Sequence, residues 1–379
     1  MPEPPELDRR IGLLCYYKDW SRIPGRLRSR LSDFVVDEIW GGASATESAS
    51  GLRSPNVDEG PHAVFVVIKF GQTTLAAAAK LAEVLRIPAG KVSFAGLKDK
   101  RAVAAQFMSA PVGRPPDFVR FRDVLIRFVC RSERPVSRGS NSGNRFVVVV
   151  RGTAPLELSA RLRELASGFP NFFSHQRFGD REPLNHELGR LILQRRFREA
   201  AERIASKPEG GSYERRVGEA LRRGEDPLRA LKKIGRSVLE LLVHSYQAYI
   251  FNRLLSMRIS ERKLEPAAGD PTIVDENSEP ILALPLPGVG TTLPSGWVKS
   301  KMEELLSEDG LTLNSFDIPE LGLTCRGELR PAIAYARNLR VLEMQGILAA
   351  HFVLPRGVYA TSLLREALLP SDPSAQGFL

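Results

Sequence analysis

The chain has 379 residues, 43% hydrophobic and 26% charged, proportions that exclude wholesale disorder, a fibrous class and a disulfide-stapled miniprotein. Lys and Arg number 54 against 44 Asp and Glu, a formal charge of +10, which favours polyanionic partners such as nucleic acid or phospholipid headgroups. Cys15, Cys130 and Cys325 are widely separated and lack the paired spacing of zinc sites, so no structural metal is expected. The first residues carry Glu3, Glu6 and Asp8 without the basic start and apolar run of a secretory signal. No stretch approaches the roughly 20 apolar residues of a membrane span. A cytoplasmic protein with reduced thiols and no membrane partner is expected.

Along the chain, residues 33–39 (DFVVDEI) predict a first strand, followed by a Gly, Ala and Ser segment that predicts a mobile loop over 41–60. Residues 62–70 (HAVFVVIKF) read as a buried strand, with Thr73 or Thr74 capping a helix that buries Leu75, Ala78, Ala82 and Leu85. Strands are expected at 103–110, 124–131 and 145–151. From Leu156 the periods turn helical, with amphipathic helices over 184–205, 213–223 and 237–259. Residues 266–300 predict loops and small strands, and two strand-like runs after Asn338 (LRVLEM and HFVLP) precede a closing helix over 359–368. The order strand-rich, helical, strand-rich suggests that a helical domain is inserted into the first.

Residues 111–151 contain nine Arg, no Lys and three acids. Arginine binds phosphate bidentately and stacks on bases, and Phe118, Phe121, Phe128 and Phe146 interleave with it, a pattern that suits single-stranded RNA or DNA. Residues 195–236 hold thirteen basic and seven acidic side chains, on amphipathic helices where a solvated face is the plain alternative.

The densest polar motif is GLKDKRAVAAQ at 96–106, where Asp99 stands between Lys98 and Lys100 with Arg101 next. Cationic neighbours favour the charged form of a carboxylate, and a carboxylate so held can act as nucleophile or base without metal or organic cofactor. The plain alternative is a solvated charged turn. The flanking apolar runs KVSFAG and AVAAQFM instead put Asp99 at the mouth of a sheet. The five histidines are scattered, and no GxSxG, HExxH or GxxxxGK motif occurs. Triad, metal and nucleotide-cofactor chemistries are therefore disfavoured. His244 reads as a packed histidine, whereas His175 lies in a polar and aromatic run that packing alone does not explain.

GLKDKRA with Gln106, together with NFFSHQRFG at 171–179, resembles the TruD family of RNA pseudouridine synthases. Four further stretches agree: Arg28 followed by DFVVDEI; Asn144, Arg145 and Phe146 before a strand; HSYQAYIFNRLLSMR at 244–258; and GVYATSLLRE at 357–366. The resemblance implies an α+β chain: a catalytic domain of the pseudouridine synthase fold (mixed or antiparallel sheet with flanking helices) interrupted by an inserted, more helical α/β domain. On that basis residues 1–170 and 339–379 form the catalytic domain and 171–338 the insertion.

The resemblance further implies that Asp99 is catalytic, that Arg28 and Lys98 are the cations near it, and that Phe34, Asn144 and Phe146 belong to the uridine pocket. Lys100 is expected to contact the substrate, and Arg177 and the 195–236 helices to bind phosphates. The implied reaction isomerises uridine to pseudouridine in tRNA, with uridine 13 the usual target and other RNAs accepted by related enzymes. It needs no cofactor. Covalent attack by Asp99 and removal of a sugar proton both remain open. Ala104 stands where the family usually has Thr, so any hydroxyl contact there is missing. Two alternatives are a non-catalytic RNA-binding protein that retains the fold, and a nuclease or glycosidase using paired carboxylates.

Overall fold

The computed structural model describes residues 2–179, 184–206, 212–261, 264–275 and 278–379. Its contacts divide the chain into two compact units: Arg22–Phe169 with Ala334–Phe378, and Met1–Ser21 with Pro170–Ile333 and Leu379.

The first unit is built on one mixed sheet. Its eight longer strands are β1 (Phe34–Trp40), β2 (His62–Phe70), β3 (Val103–Ala110), β4 (Phe118–Arg120), β5 (Val124–Ser132), β6 (Gly143–Arg151), β7 (Arg337–Met344) and β8 (Ile347–Pro355). They lie in the order β7-β8-β6-β1-β3-β2-β5-β4, antiparallel throughout except for the central pair β1 and β3. β-branched and aromatic residues dominate β1 (FVVDEIW) and β2 (HAVFVVIKF), as pleated, buried surfaces favour. The helix Thr74–Leu85 contributes Ala77, Ala78, Leu81 and Ala82 to a core with Phe65, Val67, Met108 and Ile126. Leu75, expected inside, is 63% exposed. The buried stripe of that helix is Thr74, Ala77, Ala78, Leu81 and Ala82, which leaves Leu75 on the outer face, and Thr73 is its cap.

The segment 41–60, expected to be a mobile loop, contains a short strand, Ala43–Ser44, and a helix, Ala45–Ala49. Its small residues hide a capping box: the Ser44 hydroxyl accepts from Glu47 N while the Glu47 carboxylate accepts from Ser44 N. The Asp37 carboxylate on β1 adds acceptors for Thr46 N and the Thr46 hydroxyl. Small size allowed the burial of Ala45, which supplies the apolar contact that the composition did not advertise.

In the second unit the helical run expected over 184–205 is two helices, Asn185–Leu193 and Phe197–Ala205, broken at Arg195, whose φ is 62°. A helix over Arg236–Glu261 forms its longest element. Residues 2–21 group with this unit, not with the strand-rich one where their position in the chain put them. Asn252 Nδ2 donates to Ile11 O at 2.9 Å, and the Ser256 hydroxyl donates to Gly12 O at 2.9 Å. His175 is also accounted for here, buried with its Nε2 2.9 Å from an Asp8 carboxylate oxygen that is fully buried too. No helix among the described residues is long and apolar enough to cross a membrane.

Candidate functional site around Asp99

Side chains two apart on a strand share a face, and the register of the central strands therefore assembles a polar cluster on one face of the sheet. On β1 that face carries Phe34, Val36 and Glu38; on β6, where Phe146 stands opposite Val36 and Asn144 opposite Glu38, it carries Asn144 and Phe146. Ala104 and Gln106 follow on β3, and Lys69 of β2 stands directly opposite Ala104. Phe352 of β8 pairs with Phe146 at the other side. The residues 95–102, which lead into β3, bring Lys98 and Asp99 to this face.

Asp99 is held on its side chain and on its backbone. Arg28 Nη2 donates to Asp99 Oδ2 at 2.9 Å and Nη1 donates to Gly377 O at 2.8 Å. The Arg28 side chain is 2% exposed, whereas that of Asp99 is 34% exposed, so the carboxylate is reachable and its partner is not. The guanidinium carbon lies 4.2 Å from the centroid of the Phe34 ring, a desolvated cation–π contact that fixes the fork. Arg28 itself has φ 51°, a left-handed conformation uncommon for a residue with a side chain. Oδ1 of Asp99 takes no hydrogen bond among the described residues, which leaves it open to a ligand.

Lys98, expected beside Asp99, points elsewhere. Its Nζ lies 2.7 Å from Glu38 Oε1 and donates to Asn144 Oδ1 at 2.7 Å. The other Glu38 oxygen accepts from Phe107 N at 2.9 Å, and the Glu38 side chain is fully buried. The Lys98 N–H donates to the Thr74 hydroxyl at 2.9 Å, which donates on to Gln106 Oε1 at 3.0 Å.

Lys69 and Glu38 are the two residues that sequence reasoning missed. Lys69 is fully buried, and its Nζ donates to Gln72 O at 2.8 Å and to the backbone carbonyl of Asp99. Burial pushes its ammonium down to about 8, against the pull of Asp99 and with the push of Lys98. The signal was a lone cation in the apolar run HAVFVVIKF; Glu38 is the matching acid in DFVVDEI.

The remaining expected residues are distributed. Phe146 is 6% exposed, stacked on Phe352 at 5.6 Å and edge-on to Phe34 at 6.1 Å. Lys100 is exposed. Arg177 belongs to the second unit, where its guanidinium lies 5.8 Å from the Phe173 ring. Among the described residues no group of three or more His, Cys, Asp or Glu could hold a metal ion.

The basic segments divide by what their charges already do. Of the nine arginines over 111–151, Arg145 pairs with Glu47, Arg151 with Asp33 and Arg131 with the carbonyls of Val112 and Gly113. The Arg151 bond holds the Asp33 carboxyl below the usual range. Arg114, Arg120, Arg122, Arg127, Arg134 and Arg138 are exposed, as is Phe118 on β4. On the helices, Arg196, Arg198, Arg203, Lys233 and Arg236 are paired with glutamates, the solvated-face pattern, while Arg215, Arg222, Arg223, Arg229 and Lys232 stand exposed. Lys207 lies outside the described residues.

The chain matches the family model described as "tRNA pseudouridine synthase D (TruD)" over residues 10–212, 204–283 and 276–367. It is 32% identical to a protein of Methanopyrus kandleri over 86% of this chain and 92% of the relative, and 30% identical to one of Archaeoglobus fulgidus over 96% and 99%. Both relatives carry the name "Probable tRNA pseudouridine synthase D". A crystal structure of a TruD protein from Methanosarcina mazei, 25% identical, superposes with a TM-score of 0.71 over 97% of this chain and 99% of that one. The mixed α+β architecture is the pseudouridine synthase fold.

Proposed function

The chain belongs to the TruD family of tRNA pseudouridine synthases, and from that premise we propose that it isomerises uridine to pseudouridine in tRNA, at uridine 13, with Asp99 as the acting side chain. The observation that carries this is the asymmetry of the Arg28–Asp99 pair: a cation sealed from solvent, gripping one oxygen of a carboxylate that is one-third open. A carboxylate facing a polyanion repels its phosphates, a cost for which a purely binding role offers no return. That argues against a purely binding protein on this fold. Glu38, a second acid on this face, is buried and already shared between Lys98 and Phe107 N, so among the described residues it does not offer the free second acid that the carboxylate-pair hydrolysis of a nuclease or glycosidase needs.

Isomerisation breaks the N1–C1′ bond, turns the base and joins C5 to C1′; the C5 proton leaves and N1 gains one, so atoms balance without a cofactor. The target nucleotide must first leave its stack, at a cost of a few kcal/mol. Exposed Arg120, Arg122 and Arg127 with Phe118, and the exposed cations of the helical unit with Arg177, offer phosphate and stacking contacts to offset it. Once the uridine is flipped, Asp99 Oδ1 acts on its sugar, by attack or by proton removal, while Arg28 holds the other carboxylate oxygen and keeps the group aimed. In this reading Asn144 and Phe146, adjacent positions of one face of β6, belong to the pocket for the base.

Asp99→Asn keeps the shape and removes the charge. Tritium release from C5-labelled uridine in tRNA is expected to vanish, with the dissociation constant for tRNA little changed; persistent release in the variant would remove Asp99 from the reaction.

A further inference from the structure

A lysine without solvent is costly, and Lys69 is fully buried on β2. The cost is offset in one place. Its ammonium joins two backbone carbonyls, Gln72 O at the end of β2's own turn and Asp99 O in the loop before β3. Side chains of four more charged groups close around the same face: Asp99 and Lys98 from that loop, Arg28 from the segment before β1, and Glu38 from β1, whose charge Lys98 already takes. Gln106 and Thr74 are neutral and engage each other. Ala104, directly across the ladder, leaves the ammonium no hydroxyl partner from that position.

We propose that Lys69 is a positioning residue for the reaction: its charged ammonium pins the backbone of Asp99 from below while Arg28 holds the carboxylate from the side, and loss of the Lys69 proton sets the alkaline limit of turnover. This rests on the assignment of Asp99 as the acting group. Charge-assisted bonds are about twice as strong as neutral ones. A neutral amine would keep its donors but grip the Asp99 carbonyl more weakly, and it would no longer stabilise the carboxylate above it. Displacement of a reacting group by about an ångström costs on the order of a hundredfold in rate. The ammonium is pushed down to about 8, inside the range where an enzyme can be assayed.

The test is single-turnover tritium release as a function of pH with saturating enzyme. Wild type is expected to lose rate about tenfold per pH unit above about 8. Lys69→Met is expected to be roughly a hundredfold slower at neutral pH, to bind tRNA as tightly as wild type, and to show no descent over the same alkaline range. A Met variant that keeps the wild-type descent, or turns over at the wild-type rate, overturns the proposal. Should that variant not fold, the wild-type enzyme carrying ¹³Cε-lysine decides by NMR. One lysine titrating near pH 8, and moving lower in Asp99→Asn because the attractive carboxylate is gone, supports it; all lysines titrating at their ordinary value, roughly 10.4, refutes it. Turnover surviving in Asp99→Asn would overturn the Asp99 assignment instead, whatever Lys69 does.

Discussion

Lys98 and Asn144 are joined by a bond that fixes which way an amide faces: Lys98 Nζ donates to Asn144 Oδ1 at 2.7 Å. Lysine has donors only, so the amide must present its oxygen to Lys98 and keep its two N–H donors for another partner. Uracil offers carbonyl acceptors, and an Asn144 oriented in this way suits them. The ammonium is itself anchored by Glu38, which is fully buried.

Lys98→Met strands that buried carboxylate, and a loss of about 3–5 kcal/mol in unfolding free energy is expected. In the double variant Glu38→Gln with Lys98→Met the stranded charge is gone, so most of the stability should return in urea unfolding. Turnover should stay low, because nothing then orients Asn144. A double variant with both stability and wild-type turnover would show that the pair serves packing only.

What was legible in the sequence was what local chemistry determines. The run GLKDKRA singles out Asp99 by its charge pattern and its position between two apolar runs, whereas Arg28 is named only through the family resemblance. Lys69 and Glu38 were hidden because each sits in an apolar run whose strand character is obvious, and a strand's partner is not written in its own residues. Only the pairing of Lys69 with Ala104, and of Glu38 with Asn144, brings them to Asp99's face. The same holds for residues 2–21, whose partners Asn252 and Ser256 lie some 240 positions away in the chain. The helix Ala45–Ala49 failed for a different reason: its cap signature, Ser44 with Glu47, was present, but alanine and serine made the stretch look too poor to bury anything.

The hold on Arg28 reaches to the end of the first unit. Gly377 has φ +81°, and a Cβ there would lie 2.2 Å from Leu27 O, so no other residue fits without moving the backbone. Its carbonyl is the acceptor for Arg28 Nη1. Gly377→Ala should cost about 1–3 kcal/mol through backbone strain and, in protein that is still fully folded, should lower turnover by letting Arg28 swing from Asp99. Circular dichroism melts and single-turnover rates measured on the same preparation separate the two effects. A lower melting temperature with an unchanged rate would break the link from Gly377 through Arg28 to the carboxylate.

The helical unit carries a pH sensor of a purely structural kind. His186 is buried, stacked on Tyr249 at 4.8 Å and edge-on to Phe178 at 5.4 Å, and burial pushes its imidazole down to about 4. An unfolded chain protonates the same ring near 6.5. Between those values the unfolded state binds a proton that the folded state refuses. The stabilisation from keeping the ring neutral is therefore complete above about pH 6.5 and is lost as pH falls towards 4. At pH 5 the loss amounts to about 2 kcal/mol. His186→Phe, which keeps the aromatic stack and removes the titration, should lose less stability than wild type between pH 7 and pH 5 by that amount, read as the difference in urea unfolding free energy. Parallel losses in the two proteins would mean that the ring is protonated in the folded state and that its burial is incomplete.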